Sequence, residues 1–173
     1  MNDFNLSEHF KFSELTVTNN AALQATNRKE AQALVESGKA LAALLEELRA
    51  GLGGAPLVVH SAYRCPELNA ATKGSAPKSQ HMLFEACDFG VPSKYEASDA
   101  GNSALFAAVR DILKAKGLAF SQLIDEGWTA RNPASVWVHV SLGAPRRDRA
   151  RCGQLLKMRD GAFSSLGTVP QQA

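Results

Sequence analysis

The chain of 173 residues is 45% hydrophobic and 21% charged, which is typical of one soluble globular domain with a single core. Its formal net charge of +2 is too small to indicate a nucleic-acid-binding protein, because phosphate recognition usually requires a strongly basic face. No apolar run is long enough to cross a bilayer and the first residues do not resemble a signal peptide, so we expect neither membrane insertion nor secretion through a leader.

Helical periodicity is clearest over residues 27–52, where apolar side chains recur at helical spacing and "GLGG" ends the run. A helical turn is predicted at "ELNAAT", and a second amphipathic helix at "SALFAAVRDILKAKG", with Gly117 as its stop. The first helix has five apolar positions on one face: Ala31, Leu34, Leu41, Leu45 and Leu48.

Four strands are predicted, at "PLVVHSAYR", "EACDFGV", "FSQLIDE" and "VWVHVSL"; the first contains β-branched residues and the second shows strand alternation. The last two are expected to form a hairpin joined by "GWTARNPAS". Helices and strands in irregular order predict an α+β fold, with a small antiparallel sheet flanked by helices. We expect one domain over residues 1–163 and a flexible, frayed tail over residues 164–173.

Cysteine and most histidine positions indicate structural roles. Cys65, Cys87 and Cys152 include no close pair, so the sequence supports neither a disulfide framework nor a CxxC zinc site. His9 and His60 are interpreted as hydrogen-bonded structural residues.

His81, Asp88 and His139 form a possible metal-binding set. Two imidazoles and one carboxylate provide three ligands and leave a fourth position for water, which is typical of catalytic zinc. Asp88 shares a strand face with the small residues Ala86 and Gly90, which leaves room around its carboxylate. Spacing alone leaves this zinc site and purely structural roles about equally supported.

Several motifs in order give a more specific indication. "SQHMLFEACDF" over residues 79–89 resembles the S-x-H-x-x-G-x-A-x-D signature of the zinc D-Ala-D-Ala carboxypeptidase family of peptidoglycan peptidases. "WVHVS" resembles the segment that carries the last ligand of that family, and "LSEHFKFSELT", "SAYRCPELNAA" and "FSQLIDE" occur in the family's order. The resemblance covers most of residues 6–142, and is strongest to the compact single-domain members common in phages and prophages.

This resemblance implies a zinc peptidase whose substrates are peptidoglycan stem peptides. It implies one zinc ion per chain, bound on the sheet face by His81, Asp88 and His139. The glycine of the signature is replaced by Phe84, so we expect either a changed turn between Ser79 and Asp88 or a reshaped wall of the cleft.

A general base is the next requirement of such a peptidase. Val136 stands where the family often has a glutamate, three residues before His139. Hairpin parity places Glu126 on the face of His139 and Asp125 on the other face, so Glu126 is the candidate base. A bulge could instead make Asp125 the base, and Glu126 could simply be a solvated residue at the mouth of the hairpin.

The resemblance also indicates residues that contact substrate. Arg64 matches the family's arginine and could hold a substrate carboxylate or the oxyanion, or it could be a structural salt bridge. Ser79 is expected to hydrogen-bond substrate, and Gln80 to border the substrate site and support its loop.

Residues 144–160 contain six basic and two acidic residues, which is typical of a solvated face and could attract an anionic cell wall. The leading hypothesis is a zinc peptidase, either a D-Ala-D-Ala carboxypeptidase or an endopeptidase, that serves as a phage or prophage endolysin. An endolysin would remain cytoplasmic until its release to the cell wall. The alternative is a noncatalytic, zinc-containing binding or structural module of a phage particle.

Overall fold

The computed structural model describes residues 3–143 and 152–171. Its helices are α1 (Phe12–Leu15), α2 (Gln24–Ala31), α3 (Val35–Gly51), α4 (Pro66–Ala71) and α5 (Asp99–Ala115), and two 3₁₀ turns lie at Gln32–Leu34 and Gln80–Leu83. Its strands are β1 (Val58–Ser61), β2 (Ala86–Gly90), β3 (Phe120–Glu126), β4 (Trp137–Leu142), β5 (Gln154–Arg159) and β6 (Ala162–Thr168). Among the described helices, none has the length and apolar character needed to span a membrane.

The six strands form one sheet in the order β1-β2-β4-β3-β5-β6. The predicted α+β fold is confirmed, since helices flank this sheet and α5 packs against β3 and β4. Four of the five described strand pairs are antiparallel as predicted, whereas β3 and β5 are parallel. In the sequence β4 lies between these two strands and runs antiparallel to β3, so the chain has reversed its direction once before it enters β5 parallel to β3.

The helix predicted over residues 27–52 is divided by the 3₁₀ turn at Gln32–Leu34. Its two parts dock on different neighbours. Helix α3 packs into the core through leucines, whereas α2 is held by the buried side chain of Asn27. That amide donates to two backbone carbonyls and accepts from one backbone N–H, those of Thr16, Tyr63 and Cys65 respectively. Two separate docking surfaces require a change of direction, which the tighter turn provides.

The C-terminal strands differ from the predicted frayed tail. Residues 164–168 lie in β6 and pair with β5, while Leu155 of β5 belongs to the hydrophobic core. The prediction was therefore wrong for these five residues. All of β6 is exposed, so its sequence carries no burial pattern from which a strand could be recognised.

The basic stretch over residues 144–160 lies partly outside the described residues, which include Lys157 and Arg159 but none of its other four basic residues. Arg159 binds the carboxylates of both Asp99 and Asp125, and Lys157 lies 3.5 Å and 3.6 Å from the same two groups. These two cations therefore join β5 to α5 and β3 and do not form a freely solvated face.

Phe84 occupies a left-handed backbone conformation, with φ of 57°, and its side chain is fully buried. The ring lies in the core beside Tyr63 and Phe12, at centroid distances of 5.4 Å and 6.4 Å. Gly38 of α3 leaves the necessary space, since a Cβ there would lie 2.8 Å from Cε1 of Phe84. The expectation that Phe84 reshapes the cleft wall is wrong, because its side chain points into the core.

We predict that Phe84→Gly destabilises the protein even though glycine prefers this backbone conformation. Loss of a buried phenylalanine side chain costs about 3–5 kcal/mol, whereas relief of the left-handed conformation returns about 1–2 kcal/mol. Urea unfolding should therefore show a lower free energy of unfolding. Asp160 is the matched control, because it also has positive φ (49°) but is exposed. Asp160→Gly should change stability by less than about 1 kcal/mol, and wild-type stability of Phe84→Gly would refute the packing argument.

Candidate metal centre

Two neighbouring strands and one turn bring the predicted ligands together. Asp88 of β2 pairs directly with His139 of β4 in antiparallel register. His81 lies in the 3₁₀ turn at Gln80–Leu83 that precedes β2, and the Ser79 hydroxyl caps this turn by accepting from the backbone N–H of His81. Local structure thus supplies one ligand and strand pairing supplies two.

The three ligand atoms form a compact triangle. His81 Nε2 lies 3.3 Å from His139 Nδ1 and 3.3 Å from Asp88 Oδ1, and the latter two atoms are 2.8 Å apart. In a tetrahedral site with metal–ligand bonds of about 2.0–2.1 Å, neighbouring ligand atoms lie about 3.3–3.4 Å apart. The triangle is therefore close to one face of such a tetrahedron, and these residues could hold a metal ion.

Outer contacts fix the orientation of the ligands. His81 Nδ1 lies 2.6 Å from the carbonyl oxygen of Ala62, so it donates there and leaves Nε2 with a free electron pair. Asp88 directs Oδ1 toward the histidines, while Arg64 lies 3.4 Å from Oδ2. Each ligand atom thus points toward the same point in space.

Electrostatic interactions favour the metal-binding forms of His81 and Asp88, which are the neutral imidazole and the charged carboxylate. Burial lowers the pKa of His81, which favours the neutral imidazole that can bind a metal. Burial alone would raise the pKa of Asp88, but His81 and His139 outweigh it and hold that pKa well below the ordinary range of a carboxyl group. The buried carboxylate is therefore charged.

The metal-ligand triangle opens into a cleft of about 830 Å³. One end of this cleft is lined by residues 17–20 and 71–76, and the other end by Gln154, Leu156 and Phe163 of the β5–β6 hairpin. A cleft of this volume is within the range of ligand-binding sites. The three ligands lie on its sheet side.

Glu126 lies where the predicted hairpin register places it. Ile124 pairs with His139 and Glu126 pairs with Trp137, so Glu126 faces the cleft together with the ligand. Burial raises the pKa of Glu126, while nearby His139 and Arg64 act in the opposite direction. Trp137 Nε1 is buried and has no hydrogen-bond acceptor among the described residues. The nearby Trp137 also lowers the pKa of Glu126, which favours its charged form.

Asp125 faces the opposite side of the sheet and is 1% exposed. Its carboxylate accepts from the Asn102 amide at 2.6 Å, the Ser103 hydroxyl at 2.6 Å and the Arg159 guanidinium at 2.7 Å. The irregularity in β3 lies between Phe120 and Leu123, so it does not reverse the two acidic residues. Asp125 is a structural anchor for α5 and β5.

The three predicted substrate residues also line the cleft. Besides its contact with Asp88, Arg64 has a buried Nε that has no partner among the described residues, so its guanidinium retains donor capacity. Ser79 caps the 3₁₀ turn, and Gln80 donates to the carbonyl oxygen of Leu142 at 3.3 Å, joining that turn to the end of β4. The loop-supporting role expected of Gln80 agrees with this contact.

His60 was expected to be a hydrogen-bonded structural residue, and the described contacts do not bear this out. It makes no hydrogen bond to any described residue, whereas His9 bonds Glu46 at 2.9 Å as a structural histidine should. His60 lies at the irregularity between Val59 and Ser61 in the β1–β2 pairing and lines the cleft. Its sequence signal was its position on the strand before Arg64, and a single histidine there does not reveal an irregularity in strand pairing.

Comparison with known proteins agrees with this geometry. A family model described as peptidase M15 matches residues 8–118, which include His81 and Asp88 but end before Glu126 and His139. No curated protein matches the chain. The strand pairing of β2 with β4 supplies the third ligand from beyond the matched residues. With a match over more than half of its length, the chain belongs to the peptidase M15 family of metallopeptidases.

Proposed function

We propose that the protein is a zinc-dependent peptidase that hydrolyses peptide bonds of bacterial peptidoglycan. The observation that carries this proposal is the compact His81–Asp88–His139 triangle in an open cleft, with the half-buried carboxylate of Glu126 beside it. Two nitrogens and one oxygen suit zinc, which accepts both atom types in tetrahedral sites. Family membership and the motif resemblance support peptidoglycan peptides as substrates.

Glu126 would move the proton during hydrolysis. When bound, zinc polarises the scissile carbonyl and lowers the pKa of water toward neutrality. Glu126 would accept a proton from the attacking water as the new C–O bond forms, and would return it to the departing amine as the C–N bond breaks. Because burial raises the pKa of this carboxyl group, its proton affinity is closer to the neutral range in which a base must both take and release a proton.

Arg64 would hold negative charge in the substrate. Its guanidinium lies against Asp88 Oδ2, beside the metal ligands, and could donate to the developing oxyanion or to a substrate carboxylate. Ser79 on the rim of the same cleft could hydrogen-bond the peptide backbone.

Digestion of purified peptidoglycan followed by mass spectrometry tests this function. A carboxypeptidase would release single terminal residues, an endopeptidase would divide stems or cross-links, and a noncatalytic module would leave the wall unchanged. Accumulation in the cytoplasm of a host and later release to the cell wall, as for a phage or prophage endolysin, belongs to the same proposal and rests on the motif resemblance.

We predict that purified protein contains near one zinc per chain, because three buried ligand atoms already converge. Elemental analysis of protein prepared without added metal should show this ratio, and His81→Ala or His139→Ala should lose most of the metal. Conversion of His9, which bonds only at the surface with Glu46 and Glu8, to alanine should leave the zinc content unchanged. Full zinc in both ligand variants would overturn the assignment.

Glu126→Gln should lower turnover of peptidoglycan fragments by roughly a hundredfold to ten-thousandfold, the usual cost of removing a general base, while zinc binding is retained. Asp125→Asn is the matched control, since it also replaces a carboxylate by an amide, at the neighbouring residue on the opposite face of the sheet. It should lower the melting temperature, because it weakens buried ionic contacts, but leave turnover per folded molecule near the wild-type value. The reverse ranking of turnover would make Asp125 the base.

Arg64→Lys should reduce kcat/KM strongly while retaining zinc and fold. A lysine ammonium keeps the charge but cannot reproduce the planar, paired donors of a guanidinium. Steady-state kinetics and thermal unfolding on the same preparation separate the two roles of Arg64. Wild-type kinetics with a lowered melting temperature would indicate that Arg64 is only a structural partner of Asp88.

A further inference from the structure

The cleft extends beyond the metal centre onto the β5–β6 hairpin. Leu156 of β5 and Phe163 of β6 line the same cavity as His139 and Glu126. Phe163 is 59% exposed although it is aromatic. An aromatic side chain that is left in solvent at the end of a substrate cleft is available for contact with a ligand.

Strand register places the apolar residues on one continuous face. Ile124 pairs with His139 on one side and with Leu156 on the other. Phe163 pairs with Met158, which lies two residues after Leu156 and therefore on the same face. Ile124, Leu156 and Phe163, here called the apolar track, thus lead from the metal centre to the sheet edge.

The two ends of the cleft differ in charge. Among its lining residues that the structure describes, Arg64, Lys73, Lys78, Asp88 and Glu126 carry charge, and none of them belongs to the hairpin. The track is bordered by Gln122 and Gln154, whose amides hydrogen-bond each other at 2.7 Å. Lys157 and Arg159 are turned away from it, since they bind Asp99 and Asp125 on the opposite face. The described side chains at this end therefore offer apolar contact and amide hydrogen bonds to a ligand.

Strand geometry also gives the length of peptide that the track accommodates. From β4 to β6 there are three strand spacings, which together are about 14 Å at about 4.8 Å each. An extended peptide advances about 3.4 Å per residue, so about four residues would separate the scissile bond from the group at Phe163.

We propose that the apolar track is a substrate-binding subsite, in which Phe163 contacts an uncharged, aliphatic part of the peptide about four residues from the scissile bond. This inference rests on the proposed function, because it takes the ligand of the cleft to be the peptide substrate. The subsite would be formed by the C-terminal strands, which follow the residues matched by the family model.

Synthetic stem peptides that are extended one residue at a time, in one series on each side of the scissile bond, test the subsite. The kcat/KM of the wild-type protein should rise with length and level off at about four residues in one series. Phe163→Ala should raise KM about tenfold for the longest peptides of that series and leave cleavage of the shortest unchanged. Leu166→Ala is the matched control, because Leu166 is an exposed apolar residue of β6 (49%) that does not line the cleft.

Equal effects of the two variants, or an effect of Phe163→Ala that is independent of length, would overturn the subsite. Calorimetric binding of the longest peptides to zinc-loaded wild type, Phe163→Ala and Leu166→Ala separates this result from failure of the proposed function. Binding weakened only by Phe163→Ala, without cleavage by the wild type, would refute the peptidase and support the subsite. Cleavage without any dependence on Phe163 would refute the subsite alone, and absence of both binding and cleavage would refute both.

Discussion

The pairing of Asp88 with His139 across β2 and β4 is the constraint on which the metal centre depends. Side chains alternate between the faces of a sheet, so a slip of one residue between these strands would turn one ligand away from the other. A buried carboxylate is also costly unless charges or hydrogen-bond donors surround it. Here the histidines face Oδ1 and Arg64 lies near Oδ2, and a bound metal ion would add the remaining positive charge.

The sheet separates two acidic residues, Glu126 on the cleft face and Asp125 on the helix face. On the cleft face, Glu126 lies near the metal ligands and the unpartnered donor of Trp137. On the helix face, Asp125 is saturated by Asn102, Ser103 and Arg159. Adjacent acidic residues of one strand thus have different environments, and only the residue without a full set of partners retains the capacity to react with a substrate.

The cleft combines residues inside the family match with residues that follow it. The matched residues 8–118 provide two ligands and Arg64. The strands that follow provide the third ligand, the candidate base and the apolar track. Because β3 pairs with both β4 and β5, the hairpin and the strands that hold Glu126 and His139 belong to one continuous sheet.

The sequence by itself determined the α+β class, the strands that carry Asp88, Glu126 and His139, and the separation of Glu126 from Asp125, because alternation within a strand is a local property. It did not determine the break in the first long helix, the location of Phe84 in the core, or strand β6. Those features depend on contacts between distant residues: the docking of Asn27, the space left by Gly38, and pairing with β5 for a strand that has no buried face. Such partners are brought together only by the tertiary structure. The tertiary structure therefore also decided that the cleft extends to Phe163 of β6.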